Sequence, residues 1–312
     1  MKNIESKLTE SRSYKPNESF RKQANINQEN LLDLNNQFKK NSDTFWGNLA
    51  NNHIDWIEEF KTVCSGSAPF FKWFKEGKLN VSSNCLDRHI NKNKNAVIHI
   101  SEDNKKTSIT YDELYVSVNN FTYSLKQIGL IKGDRVIIYM PTIPEAITAM
   151  LACARLGAIH SIVFAGFSSE SLKDRINDCK AKIVITVNAF KRNGNIIEAK
   201  NTVDHALSLG CPSIEKCIIY KNIDEKTKIN KDKDLWWHEI LPKKNIVVEP
   251  ETMSSEDLLF ILYTSGSTGK PKGIVHSSAG YLLNCILTNK WVFDLKDNDL
   301  FWCTADIGWI TG

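Results

Sequence analysis

Three short apolar runs constrain this chain more than anything else in it: RVIIYMP at Arg135 to Pro141, AKIVITV at Ala181 to Val187, and KCIIY at Lys216 to Tyr220. Each is apolar at consecutive positions rather than alternate ones, the pattern of a strand buried on both faces. Between the first two lie PEAITAMLACARLGAIH, whose small residues suit a helix pressed on a sheet, and SSESLKDRINDCKA, which opens on a serine cap and an acidic residue. Strand, helix, strand at this spacing predicts an α/β fold with a mostly parallel sheet covered on both faces. No repeat period is apparent.

The 312 residues are enough for two domains or one large α/β domain. With 40 basic and 36 acidic residues the net charge is only +4, so no nucleic-acid partner is expected. Eight cysteines are scattered, with no C-x-x-C and no metal-ligand spacing, and are read as free thiols filling apolar space. The N-terminal MKNIESKLTE lacks an apolar signal core, and no run of about eighteen apolar residues offers a membrane span. A reducing, cytoplasmic setting without a membrane partner is the expectation.

Residues 1–42 are too polar for a core and are expected to form a flexible arm. In residues 43–90, Phe45, Trp46, Leu49, Trp56, Ile57 and Phe60 recur at roughly helical spacing, predicting a packed aromatic cap rather than a cofactor box. Residues 91–312 form the main domain. Within it KNIDEKTKINKDKD is an exposed linker, and the tryptophans of LWWHEIL are expected to pack.

An apolar run, EDLLFILYTSGSTGKPKGIVHSS, leads into the densest chemical signal, and a helix is expected after the loop. In YTSGSTGKPKG, glycines 266, 269 and 273 allow unusual backbone angles and close approach of a ligand. Thr264, Ser265, Ser267 and Thr268 add hydroxyl donors, and Lys270 and Lys272 add full charge. Converging N–H groups, hydroxyls and lysines suit phosphate oxygens. The pattern is not a Walker A loop, because only two residues separate Gly266 from Gly269 and Pro271 follows the lysine. Nor is it G-x-G-x-x-G. His276 and Asp306 are read as a helix-start histidine and a capping or network carboxylate, with no chemical role.

YTSGSTGKPKG is similar to the phosphate-loop signature of the adenylate-forming superfamily. FKWFKEGKLNVSSNCLDRH, GDRVIIYMP, AMLACARLGAIHSIVFAGFS, LWWHEI and FWCTADIGWITG, in that order, resemble the AMP-forming acetyl-CoA synthetases. The resemblance runs from about Asp43 to Gly312. It implies the large N-terminal domain of that fold, and a ligase that uses ATP, CoA and acetate with Mg²⁺. It implies ATP and pyrophosphate binding by Thr264, Ser265, Gly266, Ser267, Thr268, Gly269, Lys270 and Lys272, with Lys270 stabilising phosphate charge and Thr268 near both the chemistry and the metal. By the same resemblance Ile310 lines the acyl pocket and Thr311 faces CoA; Trp302, read from its residue type alone, is expected to fill core beside the sheet. Arg192, Asn193, Gly194 and Asn195 align with a segment that approaches the CoA nucleotide. Asn195 stands where a second basic residue is common. Gly166 borders the CoA tunnel or simply makes a tight turn.

The family chain is about twice as long as this one, so the sequence is expected to be the N-terminal part of a longer enzyme, inactive alone. Propionyl-CoA and acetoacetyl-CoA synthetases are the neighbouring alternatives. A nonenzymatic phosphate-binding or interaction module is the alternative from another class, should the chain end at Gly312. Protein partners are left open.

Overall fold

The computed structural model describes residues 12–264 and 271–310. Seven strands make the main sheet: β1 (Arg135–Tyr139), β2 (Ile159–Ile162), β3 (Ile183–Val187), β4 (Lys216–Tyr220), β5 (Asp234–Trp236), β6 (Leu258–Thr264) and β7 (Lys272–Ser277). Their order across the sheet is β5-β4-β3-β1-β2-β6-β7, parallel throughout except for the last pair. The three β-branched runs are β1, β3 and β4, and all five residues of β3 are buried.

From β1 the chain crosses to β2 in one direction, and from β2 it crosses back to β3 in the other. Right-handed crossovers of opposite direction put their helices on opposite faces. Accordingly Pro144–Leu156 packs with Tyr111–Gln127, while Ser169–Cys179 packs with Ala199–Ser208. Small side chains let the first of these helices lie close, with Ala146, Ala149, Ala152 and Cys153 fully buried. The expected caps are present: the Ser168 hydroxyl accepts from the Ser171 N–H, and Pro144 opens its helix. Trp237 stacks on Phe121 at 3.5 Å, so the tryptophans after the charged linker pack as expected.

The aromatic stripe forms a second core. Trp46, Trp56, Phe60, Trp73 and Phe74 meet edge to face or tilted at 5.1–6.2 Å, and the Ser278–Leu287 helix closes the cluster. Buried Asn80 ties this cap to the main domain by donating to the carbonyls of Ala154 and Glu251 at 3.0 and 2.9 Å.

Two expectations differ from the fold. Helices Glu18–Gln23 and Gln28–Lys40 stand where a loose arm is expected, although neither buries a residue. The asparagines that make this stretch too polar for a core are also good caps: Asn17, Asn27 and Asn41 accept from the N–H groups of Ser19, Asn30 and Thr44. Asn25 anchors the pair by donating to the Asp294 carboxylate at 2.6 Å. Secondly, no helix directly follows the glycine-rich loop. Instead β7 pairs antiparallel with β6, Thr264 opposite Lys272, and the helix begins only at Ser278. The β-branched Ile274 and Val275 favour the strand. Among the described residues no helix is long and apolar enough to cross a membrane.

Candidate functional site

In open α/β sheets ligands bind outside the carboxyl ends of the strands. At that rim the chain places the segments after β1, β2, β3 and β6, and most residues singled out in the sequence fall on or beside them. Ser265, Gly266, Ser267, Thr268, Gly269, Lys270 and Thr311 lie outside the described residues.

The root of the glycine-rich motif is firmly built. Thr264 and Lys272 are both exposed, facing each other as the last pair of the β6–β7 hairpin. Beneath them Tyr263 is buried, and its hydroxyl donates to Asp178 Oδ2 at 2.6 Å. Burial first, and the Asp178 contact second, push the phenol's pKa up, so it stays a donor. Gly273 is a glycine for space rather than for left-handed angles: an added Cβ would sit 3.2 Å from the Tyr263 ring and 3.0 Å from Ile261. Three residues on, His276 is not at a helix start but in β7, stacked on Phe260 at 4.5 Å. Phe260 in turn faces His160 of β2 at 5.8 Å.

After β3, Phe190–Arg192 and Asn195–Ile197 make a small hairpin turning on Asn193 and Gly194, with φ of 50° and 75°. Two left-handed residues in a row suit an Asn-Gly turn. The Asn195 amide turns back to the Asn193 carbonyl at 3.3 Å. A neighbouring acidic turn braces the hairpin, since Glu102 accepts from the Gly194 N–H at 2.6 Å and Asp103 pairs with Lys191 at 2.9 Å. Arg192 leans away from that turn and lies over the Phe164 ring at 4.8 Å. This contact accounts for Gly166. A Cβ there would be 2.5 Å from the Phe164 ring and 2.7 Å from an Arg192 guanidinium nitrogen, so the glycine clears room for the cation.

Ile310 lines an apolar cavity of about 360 Å³, together with Trp309, Ile307, Met150, Leu262 and His160. This space is far larger than a two-carbon acid fills. His160 is buried, its Nδ1 has no partner among the described residues, and burial lowers its pKa to about 4. Trp302 does not fill the core as expected, being 82% exposed. Trp309 meets the edge of Phe167 at 6.5 Å. Asp306 is a network carboxylate: it accepts from the Gly308 N–H at 2.8 Å and from the Thr142 hydroxyl at 3.4 Å.

Sequence reasoning missed Phe164, Phe167, Arg175 and Asp178, which connect these parts. A signal for Arg175 exists, because Leu172, Ile176 and Cys179 mark the apolar face of its helix and Arg175 falls on that face. Burial also pushes the Cys153 thiol up to about 12 and Cys179 up to about 11, the behaviour of packing cysteines rather than nucleophiles. Among the described residues no group of three or more His, Cys, Asp or Glu side chains is placed to hold a metal ion.

The model for AMP-binding enzymes matches residues 86–312, and that for the acetyl-coenzyme A synthetase N-terminus matches residues 32–85. The acetyl-coenzyme A synthetase of Laribacter hongkongensis is 51% identical over 317 residues, covering 100% of this chain and 48% of that protein. Those of Pasteurella multocida and Helicobacter pylori are 50% and 51% identical, covering 98% and 96% of this chain and 48% and 46% of theirs. The chain thus spans about half the length of the relatives it matches. Among solved structures, an acetoacetyl-CoA synthetase from Streptomyces lividans superposes with a TM-score of 0.81 at 25% identity, covering 86% of this chain and 42% of that one.

Proposed function

This chain belongs to the AMP-binding enzyme family, and from that membership we propose that the whole protein is an AMP-forming acetate–CoA ligase. One observation carries the reading. A continuous run of ring and cation contacts along the rim joins the phosphate-motif root at Tyr263, the Arg192 hairpin and Trp309, next to Ile310. The three parts would serve phosphate, CoA and acyl group. The names and identity of the bacterial relatives support acetate.

In the first half-reaction an acetate oxygen attacks the α-phosphorus of ATP. The new P–O bond forms as the α–β bridging bond breaks, and pyrophosphate leaves with the electron pair. A carboxylate resists nucleophiles until AMP becomes its leaving group. In the second half-reaction the CoA thiol, losing its proton, attacks the acetyl carbonyl and AMP departs. Thr264, Ser265, Gly266, Ser267, Thr268, Gly269, Lys270 and Lys272 would hold the phosphates, with Lys270 balancing charge on the departing pyrophosphate. A well-aimed donor in such a site contributes about 3 to 4 kcal/mol to the transition state. Mg²⁺ would arrive on the ATP phosphates and neutralise part of their charge, as it usually does where a protein offers no ligand cage of its own. Arg192 would meet CoA phosphate, with Asn193, Gly194, Asn195 and Thr311 beside it. Ile310 would form one wall of the acyl pocket. The expected setting is cytoplasmic.

Hydroxylamine trapping tests the substrate. With ATP, Mg²⁺ and hydroxylamine the full-length protein should form acyl-hydroxamate fastest from acetate. Faster product from propionate or acetoacetate would replace the acetate assignment.

A further inference from the structure

Arg175 is only 6% exposed, yet among the described residues no carboxylate forms an ion pair with it. Its guanidinium carbon lies 4.7 Å from the Phe167 ring and 5.4 Å from the Tyr263 ring. One guanidinium nitrogen donates to the Ser171 carbonyl and hydroxyl at 2.7 and 2.6 Å. A charge buried in this way is costly, and filling space alone would be served better by methionine or leucine. What a planar cation can do and an aliphatic chain cannot is grip two ring faces at once.

The two rings belong to different parts of the rim. Tyr263 is the root of the phosphate motif, also held by Asp178 of the same helix as Arg175. Phe167 meets Phe164 at 5.5 Å and Trp309 at 6.5 Å, and Phe164 carries Arg192. The 165–167 turn is fixed from below, because the Tyr139 hydroxyl reaches the carbonyls of Ala165 and Phe167, both at 2.8 Å. Among the described residues Arg175 therefore touches both the phosphate-motif root and the segment supporting the Arg192 hairpin. Building on the functional reading above, we propose that Arg175 is a positioning residue that fixes Tyr263, at the root of the phosphate motif, and the CoA segment relative to each other through the Phe167–Arg175–Tyr263 sandwich.

The test separates half-reactions in the full-length protein. Acetate-dependent pyrophosphate exchange reports the KM for ATP, and acetyl-CoA formation reports the KM for CoA. Arg175→Met should raise both by about threefold to tenfold, and Arg175→Lys, which keeps charge without a planar face, should raise both by less. A residue that only stabilises the fold would lower the melting temperature and the active fraction while leaving both KM values alone, and that result overturns the proposal. Arg192→Ala is the control. If it leaves the CoA KM unchanged, the CoA reading falls; if it raises that KM while Arg175→Met moves neither, the positioning role falls. Should Arg175→Met fail to fold, Phe167→Leu decides: the proposal requires the ATP KM to rise, and an effect confined to CoA refutes it.

Discussion

Strand β3 is buried at all five of its positions, whereas β7, at the far edge of the same sheet, exposes four of six. The first is held by parallel neighbours on both sides and helices above and below. Among the described residues the second has a partner on one side only, and Ile274 and Val275 are 46% and 53% exposed. What fixes β7 is a ladder of side chains: His160, Phe260 and His276 stack across three strands, with Tyr281 4.7 Å from Phe260. The difference teaches where this fold keeps its chemistry. Fully packed strands carry mostly apolar residues, and buried Thr186 of β3 spends its hydroxyl on the Tyr139 carbonyl at 2.8 Å, so the candidate binding groups collect where strands end and one edge faces solvent.

The comparison predicts opposite failures on the two sides. Lys270→Ala should lower acetate-dependent pyrophosphate exchange about 100-fold or more in the full-length protein, with an unchanged melting temperature. Ile185→Ala, in the centre of β3, should do the reverse: about 2 to 5 kcal/mol of stability lost by denaturant titration, and exchange per folded molecule retained. A Lys270 variant that melts early, or exchange that survives it, would break the division between scaffold and rim.

A second prediction sharpens the division at its seam, where buried His160 joins β2 to the edge hairpin. Its pKa falls from 6.5 to about 4 on folding, so between those values the unfolded chain binds a proton that the folded chain refuses. Stability from this residue is complete above pH 6.5 and is lost as pH drops through that window, by about 3 kcal/mol. His160→Phe keeps the ring stack and removes the titration, so its stability should stay flatter from pH 6.5 to pH 4. Parallel pH profiles for the two proteins would remove His160 from the account.

The smallest effect belongs to the exposed edge itself. Val275→Ala should change unfolding free energy by less than about 0.5 kcal/mol. A loss comparable to that of Ile185→Ala would mean that a surface of the whole protein covers β7.

Much of the scaffold was legible because burial on both faces leaves a local mark. Arg135 to Pro141 contains β1, Ala181 to Val187 contains β3, and Lys216 to Tyr220 is β4. The glycine-rich motif was legible as a run of residue types, but its setting on a β-hairpin was not, because KGIVHS has only two apolar residues, Ile274 and Val275, and neither a continuous apolar run nor an alternation announces a strand. Gly166 could be read only as a turn or a tunnel wall until Arg192 was seen to need the space. Arg175 drew no reading from the sequence, although its place on the apolar face of its helix was open to notice.

By itself the sequence determined much of the scaffold and its chemistry: which runs would be buried strands, where a serine would cap a helix, and which loop carries glycines, hydroxyls and lysines. These are properties of neighbouring residues, set by backbone sterics and by periodicity. Only the tertiary structure decided which of them meet. The His160, Phe260 and His276 rings come together because β2, β6 and β7 lie side by side, and Phe167, Arg175 and Tyr263 because a helix crosses beneath a strand end. Contacts of that kind depend on crossovers and packing between distant segments, and no local pattern encodes them.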